Sequence, residues 1–390
     1  MIRVGFLINY NHFKWLGGFN VITNITNSFK FLKDKKIEPL IIISKDFKKV
    51  YKNYEIDKKN IIFTDYFTKQ SLLFKLYNKL SIIFLGKSNK YDKFLKNNNI
   101  SILSHGLHFG LGSKSDVKSI SWIPDFQYIY YPENFTLKNR VFKHINTLIS
   151  AKTSSKIILS SKDAERDLKK ILPMKYNKTI IHPYVFDLPP KRKILSYKKI
   201  YKKYKIPKNY FFIPNQFWKH KNHDLIVETL RYLKEHKNND INIVLTGFPY
   251  DHRHQNYFEE LNKKIDKYNI RNKYIYLGVV PYLDVMSLMF HSIAIINPSK
   301  FEGCSSSVEQ AKSMGKKVVL SNLKIHKEQN PSKGYYFHPD NFKQLAKKLI
   351  EVLKKHNKKN DLKSIIYAYS ILNKRLEKYA LDYQKKVLKN

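Results

Sequence analysis

The sequence predicts an α/β protein made of two similar units, each a parallel sheet with helices on both faces. Three observations predict this fold class. Short runs of β-branched and aromatic residues alternate with helical patterns almost throughout the chain. The length of 390 residues exceeds what one compact core usually holds. Finally, Pro189 and Pro190 break regular structure near the middle, just before a basic run.

The predicted units span residues 1–190 and 191–365, and a last helical stretch covers 366–390. Because ligands bind at the carboxyl ends of parallel strands, the strand-to-loop junctions and the cleft expected between the units are the places to search. Twelve strands are predicted, at 3–10, 39–44, 60–65, 100–106, 119–127, 156–162, 210–216, 241–247, 274–280, 293–299, 316–322 and 334–340. Amphipathic helices are predicted at 20–35, 223–237, 257–269, 283–292, 307–315 and 341–357.

The chain is strongly basic, with 73 Lys and Arg against 31 Asp and Glu, a net charge of +42. One interpretation is a polyanionic partner, namely nucleic acid, an anionic membrane surface or a phosphorylated substrate. The other is compositional bias, because the excess is mostly scattered lysine and accompanies abundant Asn, Ile and Tyr, a mix typical of AT-rich genomes. No nucleic-acid motif is recognised, so nucleic acid is not expected as a partner.

Cellular location is predicted from the cysteine count and the apolar runs. A single cysteine, Cys304, excludes an intrachain disulfide framework and a thiolate-rich zinc site, and it fits a reducing compartment. No signal peptide is evident, and the longest apolar run, 71–86, is short for a bilayer span and carries two lysines. We therefore expect a cytoplasmic protein. The lysine-containing apolar segment 67–95 is either an amphipathic helix on anionic lipid or a core helix with a wet face.

In the first unit, four residues at strand ends are candidates for chemistry. Gly17 and Gly18 follow the first strand and precede a helical pattern, which suits either a close approach of phosphate to the backbone or a plain turn. His105 and Asp125 end later strands, where either side chain could accept a proton from a hydroxyl nucleophile. The alternative for both is a packed or solvated residue.

In the second unit, a cation and a carboxylate follow two different strands. Lys221 lies just ahead of a helix, which suits binding of a diphosphate, although a solvated basic loop is the alternative. Glu302 and Gly303 follow the strand at 293–299 and lead into a serine-rich helix start that could bind an anion. Because Ser306-x-x-Glu309 matches a capping box, Glu309 is predicted to be a helix cap.

Several segments together resemble a known family. They are "WIPDFQ", "IILSSKDAERDL", "PNQFWKHKNH", "VVPYLDVMSLMFHSIAIINPSKFEG" and "AKSMGKKVVLSNLKIHKEQNP", and they resemble the family-4 retaining glycosyltransferases of the GT-B fold, in the group 1 glycosyl transferases. The resemblance is strong over about 120–332 and looser before. It implies two Rossmann-like domains facing a cleft, with the acceptor held by the first domain, the nucleotide-sugar donor by the second, and a C-terminal helix that crosses back to the first.

The resemblance also implies roles for individual residues. Gly17 and Gly18 match the glycine loop on the diphosphate side, and Lys221 matches the lysine that neutralises the diphosphate. Glu302 matches the first glutamate of the family's Glu-x7-Glu pattern, beside the donor sugar. The loop that follows it, with Gly303, Ser306 and Ser307, presents backbone amides to phosphate.

Two positions depart from the family pattern. Gln216 stands where the family commonly has an arginine that also binds the diphosphate, and Gln310 stands where the second glutamate accepts hydrogen bonds from the ribose hydroxyls. Because a charged hydrogen bond is worth roughly 1.5 to 3 kcal/mol against about 1 for a neutral one, we expect the swap at Gln310 to weaken donor binding about tenfold without abolishing it.

The expected activity is retaining transfer of a hexose from a nucleotide-diphosphate sugar to a hydroxyl of a glycan or glycolipid, in surface polysaccharide or lipopolysaccharide synthesis. No metal and no cofactor are expected, because the family is typically metal-independent and the sequence lacks an Asp-x-Asp motif. The alternative is a non-catalytic nucleotide-sugar-binding relative. Peripheral attachment to the inner face of a membrane is a further expectation.

Overall fold

A computed structural model of the chain describes residues 1–10, 15–49, 57–172, 176–237 and 240–389. It divides into two compact units. The first consists of Met1–Val185 together with Lys374–Asn390, and the second of Phe186–Asn373.

The first unit is built on a parallel sheet of seven described strands, in the order β3-β2-β1-β4-β5-β6-β7. The central strands are almost wholly buried, as expected when helices cover both faces of a sheet, although β4 and β5 also bury serine and histidine side chains. The strands are β1 (Ile2–Leu7), β2 (Ile37–Ile43), β3 (Ile61–Phe63), β4 (Ile102–Leu107), β5 (Lys118–Trp122), β6 (Lys156–Leu159) and β7 (Thr179–Ile181).

The helices of the first unit begin mostly at hydroxyl side chains that satisfy exposed helix N–H groups. Ser71, Ser88, Thr136 and Ser161 each accept a hydrogen bond from the backbone N–H three residues later. The helices are α1 (Leu16–Ser28), α2 (Leu72–Leu80), continued by a π-helical turn (Ser81–Leu85), α3 (Asn89–Asn97), α4 (Gln127–Tyr130), α5 (Leu137–Thr153) and α6 (Lys162–Lys169).

The second unit has a parallel sheet of six described strands, in the order β10-β9-β8-β11-β12-β13. Its core is a continuous cluster of Ile, Leu, Val and Phe side chains from the sheet and from its covering helices. The strands are β8 (Phe211–Ile213), β9 (Ile243–Leu245), β10 (Tyr274–Tyr276), β11 (Ile295–Asn297), β12 (Val318–Ser321) and β13 (Gly334–Phe337). The helices are α7 (Tyr197–Tyr204), α8 (His223–Glu235), α9 (Tyr257–Lys267), α10 (Tyr282–His291), α11 (Ser306–Met314), α12 (Lys324–Gln329), α13 (Phe342–Lys354) and α14 (Lys358–Leu388).

The end of α14 is part of the first unit and is held there by polar and aromatic contacts. The Tyr383 hydroxyl donates to Ser104 Oγ over 2.7 Å, and Gln384 Oε1 accepts from the backbone N–H of Lys36 over 2.8 Å. The ring of Tyr379 stacks on His182 with 4.3 Å between ring centroids. These contacts bury the last turns of the helix against the sheet of the first unit.

The predicted fold class is confirmed. All twelve predicted strands are present, and all but β2 are shorter than their predicted runs; the two sheets are parallel with helices between the strands. One strand was missed, β7, which has only three residues. Within the described residues, no helix combines the length and the apolar character needed to cross a bilayer.

Candidate functional site

A buried ion pair joins the ends of two neighbouring strands in the second unit. Lys221 ends a 3-10 turn (Lys219–Lys221) after β8, and Glu302 follows β11. Because β8 and β11 are adjacent, the carboxyl ends of the two strands meet at one edge of the sheet. Lys221 Nζ lies 2.8 and 2.9 Å from the two carboxylate oxygens of Glu302. The two side chains are only 15% and 7% exposed, so both charges are largely withdrawn from water.

The lysine keeps the glutamate ionised. Burial alone would raise the pKa of Glu302, but the Lys221 ammonium, assisted by the nearby His326 and the Ser299 hydroxyl, lowers it to about 2. The carboxylate is therefore fully charged at neutral pH. A compact positive charge held at the mouth of a parallel sheet is suited to binding a phosphate group.

Around the pair lies a network of small polar side chains. Glu302 Oε1 accepts from the Ser299 hydroxyl over 2.7 Å and from Asn297 Nδ2 over 3.2 Å. Asn297 Nδ2 also lies 2.7 Å from Ser305 Oγ, and the Ser305 and Ser307 hydroxyls are 3.1 Å apart. The end of β11 and the start of α11 are thereby fixed to the ion pair.

The helix α11 presents its N-terminus beside this network. It starts at Ser306, with Ser305 as the N-cap residue, and the Ser305 side chain makes no capping hydrogen bond. The first N–H groups of a helix have no acceptor within the helix, and the helix dipole adds partial positive charge there. With the Lys221 ammonium and the small side chains of the serine loop, this N-terminus is suited to an anionic ligand.

The capping role predicted for Glu309 is wrong. Because the helix begins one residue earlier than the capping box requires, Glu309 is the fourth helical residue rather than the third, and it is 2% exposed. Its carboxylate accepts from Gln329 Nε2 over 2.9 Å and pairs with Lys312 Nζ at 3.0 Å. Gln329 also bonds the backbone of Ser305 through both N–H and carbonyl, so Glu309 holds α12 against the serine loop.

Gln216 and Gln310, the two glutamines that depart from the family pattern, follow the carboxyl ends of β8 and β11, the strands that carry Lys221 and Glu302. Gln310 is 8% exposed on α11, and its side chain forms no hydrogen bond with another described residue. Gln216 is half-buried in the loop between β8 and Lys219. Its backbone carbonyl lies 3.3 Å from His223 Nε2. Gly303 is half-buried between Glu302 and the serine loop.

Sequence reasoning missed several residues that shape this region. Asn215 is 6% exposed, and its Oδ1 lies 3.4 Å from the Ser307 hydroxyl. Gly247 follows β9 with a φ of +145°, and a Cβ there would come within 2.3 Å of the Asn215 carbonyl oxygen, so only glycine fits. Asp251 is 1% exposed and accepts from the backbone N–H of Lys219, which fixes the turn that carries Lys221. Asn215 lies inside the predicted strand at 210–216, whereas β8 ends at Ile213, so the sequence pattern did not mark Asn215 as a loop residue.

In the first unit, the predicted glycines lie inside the first turn of α1 rather than in a loop before it. Residues 11–14 of the predicted glycine loop lie outside the described residues. A Cβ on Gly18 would come within 2.5 Å of the Trp15 ring, whereas one on Gly17 would keep 3.6 Å from it. Trp15 in turn stacks on Trp122 at the end of β5, with ring centroids 5.1 Å apart. Packing against Trp15 therefore accounts for Gly18, and phosphate contact by either glycine remains a prediction.

His105 lies in the interior of the first unit. It has a φ of +62° where the pairing of β4 with β5 shifts register, a bulge of the kind often found near functional sites. Its ring is 2% exposed and lies among the rings of Phe6, Trp122 and Tyr383. Burial lowers the pKa of His105 to about 3, which is poorly matched to accepting a proton near neutral pH. These surroundings fit the alternative of a packed residue.

Asp125 is half-buried in the segment between β5 and α4. Its Oδ1 accepts a hydrogen bond from the backbone N–H of Gln127 over 3.0 Å, which orders the turn into α4. Of the predicted site residues, Lys221, Glu302 and Ser307 come together in the second unit. His105, Asp125 and the two glycines lie near the carboxyl ends of strands in the first. Within the described ranges, no group of three or more His, Cys, Asp or Glu side chains is arranged to hold a metal ion.

Comparison with known families gives a match over the second unit. Residues 196–369 match the family model described as glycosyl transferases group 1. The match confirms the predicted resemblance to group 1 over these residues, while the retaining family-4 subtype stays a prediction. None of the curated protein sequences matches the chain.

Solved structures match the whole chain. HepE of Anabaena, solved with UDP and glucose, is 14% identical over 99% of both chains with a TM-score of 0.70. A glycosyltransferase of Rickettsia africae is 17% identical over 100% of this chain and 99% of its own, with a TM-score of 0.64. WaaG, a glycosyltransferase involved in lipopolysaccharide biosynthesis, is 12% identical over 98% of both chains with a TM-score of 0.65. At these identities the likeness concerns the fold, which is that of GT-B glycosyltransferases.

Proposed function

We propose that this protein is a retaining glycosyltransferase that moves a hexose from a nucleotide-diphosphate sugar to a hydroxyl of a glycan or glycolipid. The observation that carries the proposal is the buried Lys221–Glu302 pair beside the N-terminus of α11. This arrangement occurs within the stretch that matches the group 1 glycosyltransferase model. A cation and free helix N–H groups at one sheet edge are what a diphosphate leaving group needs.

In this proposal the second unit binds the donor. Lys221 and the backbone amides at Ser306 and Ser307 would contact the diphosphate and stabilise the negative charge that develops on it as the sugar leaves. These groups are already fixed by the network around Asn297 and Ser299, so little reorganisation is needed when charge develops. Gly303 leaves the serine loop open to the ligand.

The reaction proposed is a displacement on one face of the sugar. The bond between the anomeric carbon and the β-phosphate oxygen breaks, and its electron pair stays on the diphosphate. The acceptor oxygen bonds to the same face of the oxocarbenium-like carbon, and its proton passes to the departing phosphate oxygen. This route needs no carboxylate base, and His105, with a pKa of about 3, is unsuited to be one.

Glu302 would have two roles. In the ligand-free protein it neutralises Lys221, which allows a buried ammonium without an unpaired charge. With donor bound, the resemblance implies that this glutamate lies beside the sugar, where its carboxylate would accept hydrogen bonds from sugar hydroxyls and stabilise a cationic anomeric carbon. Asp125 is proposed to act on the acceptor side, through hydrogen bonds rather than as a base, whereas the buried His105 is proposed to support the fold of the first unit.

A second candidate is a non-catalytic protein that binds a nucleotide sugar. Gln216 and Gln310 favour it, because an amide replaces a charged group at two positions where the family binds the donor. The two candidates differ in turnover and not in binding. Calorimetry with UDP, GDP and ADP, alone and with attached sugars, identifies the donor, and turnover is then measured with that donor and a panel of glycan and glycolipid acceptors.

The roles are tested with Lys221→Ala and Glu302→Ala. We expect both to reduce transfer by at least a hundredfold, since removal of one group that stabilises transition-state charge typically costs on the order of 10² to 10³ in rate. Lys219→Ala is the matched control, because Lys219 is an exposed lysine two residues away on the same turn. Unchanged transfer in both site variants would refute the assignment. Donor binding without turnover on every acceptor would support the non-catalytic alternative.

A further inference from the structure

Half of the large apolar side chains that the described residues expose lie on two helical segments of the first unit. There are 24 such side chains, of which seven lie on α2 with its π-helical turn and five on α5. We call these twelve the apolar face. They are Leu72, Leu73, Leu76, Tyr77, Leu80, Phe84, Leu85, Leu137, Val141, Phe142, Ile145 and Leu148.

Both helices bury uncharged polar side chains while they expose large apolar ones. On α2, Asn78 is fully buried and its amide donates to the Phe74 carbonyl over 2.7 Å, while Leu72 and Leu73 are 81% and 78% exposed. On α5, Thr147 and Ser150 are fully buried, while Phe142 is 59% exposed. This is the reverse of an ordinary surface helix, whose apolar stripe faces the core. The apolar residues are therefore not required by the fold of this unit.

The two exposed surfaces adjoin. Lys79 on α2 donates to Asn146 Oδ1 on α5 over 3.2 Å, and its ammonium lies 5.7 Å from the centre of the Phe142 ring. The apolar face is thus one surface with a lysine at its centre. A contiguous apolar surface of this kind on a folded protein marks an interaction site.

The charge on these helices is of one sign. Together α2, its π-helical turn and α5 carry six Lys and Arg side chains and no Asp or Glu. None of the six forms an ion pair with a described residue. They are Lys75, Lys79, Lys138, Arg140, Lys143 and Lys152.

We infer that the apolar face is a docking surface for an anionic lipid bilayer. Leucine and phenylalanine side chains would enter the boundary between headgroups and acyl chains, and the surrounding lysines would contact lipid phosphates. A protein partner fits less well, because the cores of protein interfaces are depleted in lysine. The net charge of +42 adds long-range attraction to the same surface. This inference rests on the first unit alone and does not depend on the proposed function.

The test is co-sedimentation of the full chain with vesicles of phosphatidylcholine, with and without phosphatidylglycerol, at low and high salt. We expect binding to the anionic vesicles at low salt and weaker binding at high salt. The triple variant Leu73→Ser, Phe84→Ser, Phe142→Ser should reduce the partition coefficient by at least about tenfold. The triple variant Lys138→Gln, Arg140→Gln, Lys143→Gln should reduce it on the order of a hundredfold, since each cation near such a surface contributes about fivefold.

The controls are matched in exposure and charge but lie in the second unit. Leu362→Ser, Ile366→Ser and Tyr367→Ser together remove three apolar side chains from α14 that are 41%, 49% and 67% exposed. Lys343→Gln, Lys347→Gln and Lys354→Gln together remove three exposed lysines from α13. Both controls should bind vesicles as the wild type does, and circular dichroism should be unchanged for all variants because every altered side chain is at the surface.

Three outcomes would overturn the inference. The first is no binding to vesicles of either composition at low salt. The second is equal weakening by the lysine variants of α5 and of α13, which would indicate attraction by total charge alone. The third is a dimer in solution that the apolar triple variant converts to monomer, since the apolar face would then be a contact between two copies. Calorimetry of donor binding uses the chain without lipid, so its result is separate from this one.

Discussion

The most direct test of the candidate site is to remove the charges of Lys221 and Glu302, first one at a time and then together. The perturbation is a double-mutant cycle with Lys221→Met, which keeps the apolar stem, and Glu302→Gln, which keeps the shape of the carboxylate. If the two charges stabilise each other inside the protein, each single change leaves one buried charge without its partner, while the double change leaves none.

The magnitude follows from the pKa of Glu302, which the structure places at about 2 against an ordinary value of 4.5. This difference corresponds to about 3 kcal/mol of folding stability near pH 7. Because the folded-state pKa is the lower one, the contribution is fully present above pH 4.5 and is lost as the pH falls toward 2. At pH 3.5 about 2 kcal/mol should remain. Lys221 is the principal cause of the lowered pKa, so the coupling between the residues should follow these values.

The assay is urea unfolding of the ligand-free chain, followed by tryptophan fluorescence at both pH values. The chain has three tryptophans, and Trp15 and Trp122 belong to the first unit. A background with Trp15→Phe and Trp122→Phe therefore leaves Trp218, three residues from Lys221, as the reporter of the second unit. The control is the same cycle on Lys300 and Asp340, an ion pair of 2.6 Å whose side chains are 39% and 60% exposed. Its coupling should be much smaller, because water screens exposed pairs.

A coupling between Lys221 and Glu302 below about 1 kcal/mol near neutral pH would refute the reasoning, since that is the range of surface pairs. A coupling that does not fall at pH 3.5 would also refute it, because protonation of Glu302 must remove the attraction. Either result would mean that water reaches the pair in solution.

Three further outcomes are expected. Gln310→Glu should tighten nucleotide binding about tenfold in calorimetry, because a charged acceptor replaces a neutral one, and unchanged affinity would place the ribose elsewhere. Gly18→Ala should lower the free energy of unfolding by roughly 1 to 3 kcal/mol, because the new Cβ would come within 2.5 Å of the Trp15 ring. Gly17→Ala should cost less, because a Cβ there keeps 3.6 Å from the ring, and equal effects of the two variants would contradict this packing. His105→Asn should leave the shape of the pH–rate profile unchanged between pH 5 and 8, because burial lowers the pKa of His105 to about 3. If the variant instead lost the fall in rate on the acid side of the profile, His105 would be a base that titrates in this range.

The site illustrates what sequence reasoning reaches and where it stops. Lys221 and Glu302 were identified separately because each follows a predicted strand. Their contact depends on the order of strands in the sheet, in which β8 and β11 are neighbours although 81 residues separate the two side chains. Patterns in a single sequence locate the strands but do not give their order in the sheet. The family resemblance supplied what the patterns lacked.

The error at Glu309 has a local cause. Any of the three consecutive serines, 305 to 307, could be the N-cap of the helix. Only the choice of Ser306 places a glutamate three residues later, as the capping box requires. The helix starts instead after Ser305, whose hydroxyl lies 2.7 Å from Asn297 Nδ2. Side chains from β11 and α12, distant in sequence, thus decide the register. The missed strand β7 has a separate cause, because its apolar run consists of only two isoleucines between Thr179 and His182.

The apolar face carries the most general lesson. Helical periodicity shows that a segment has an apolar stripe, and the usual inference directs that stripe to the core. On α2 and α5 large apolar side chains point outward instead, and two of the buried polar residues bond within their own helix: Asn78 donates to the Phe74 carbonyl, and the Thr147 hydroxyl donates to the Lys143 carbonyl over 3.0 Å. Once polar groups are satisfied inside, burying them costs little. Periodicity therefore fixes the existence of a face, while the direction in which it points is decided by hydrogen bonds that only the folded chain reveals.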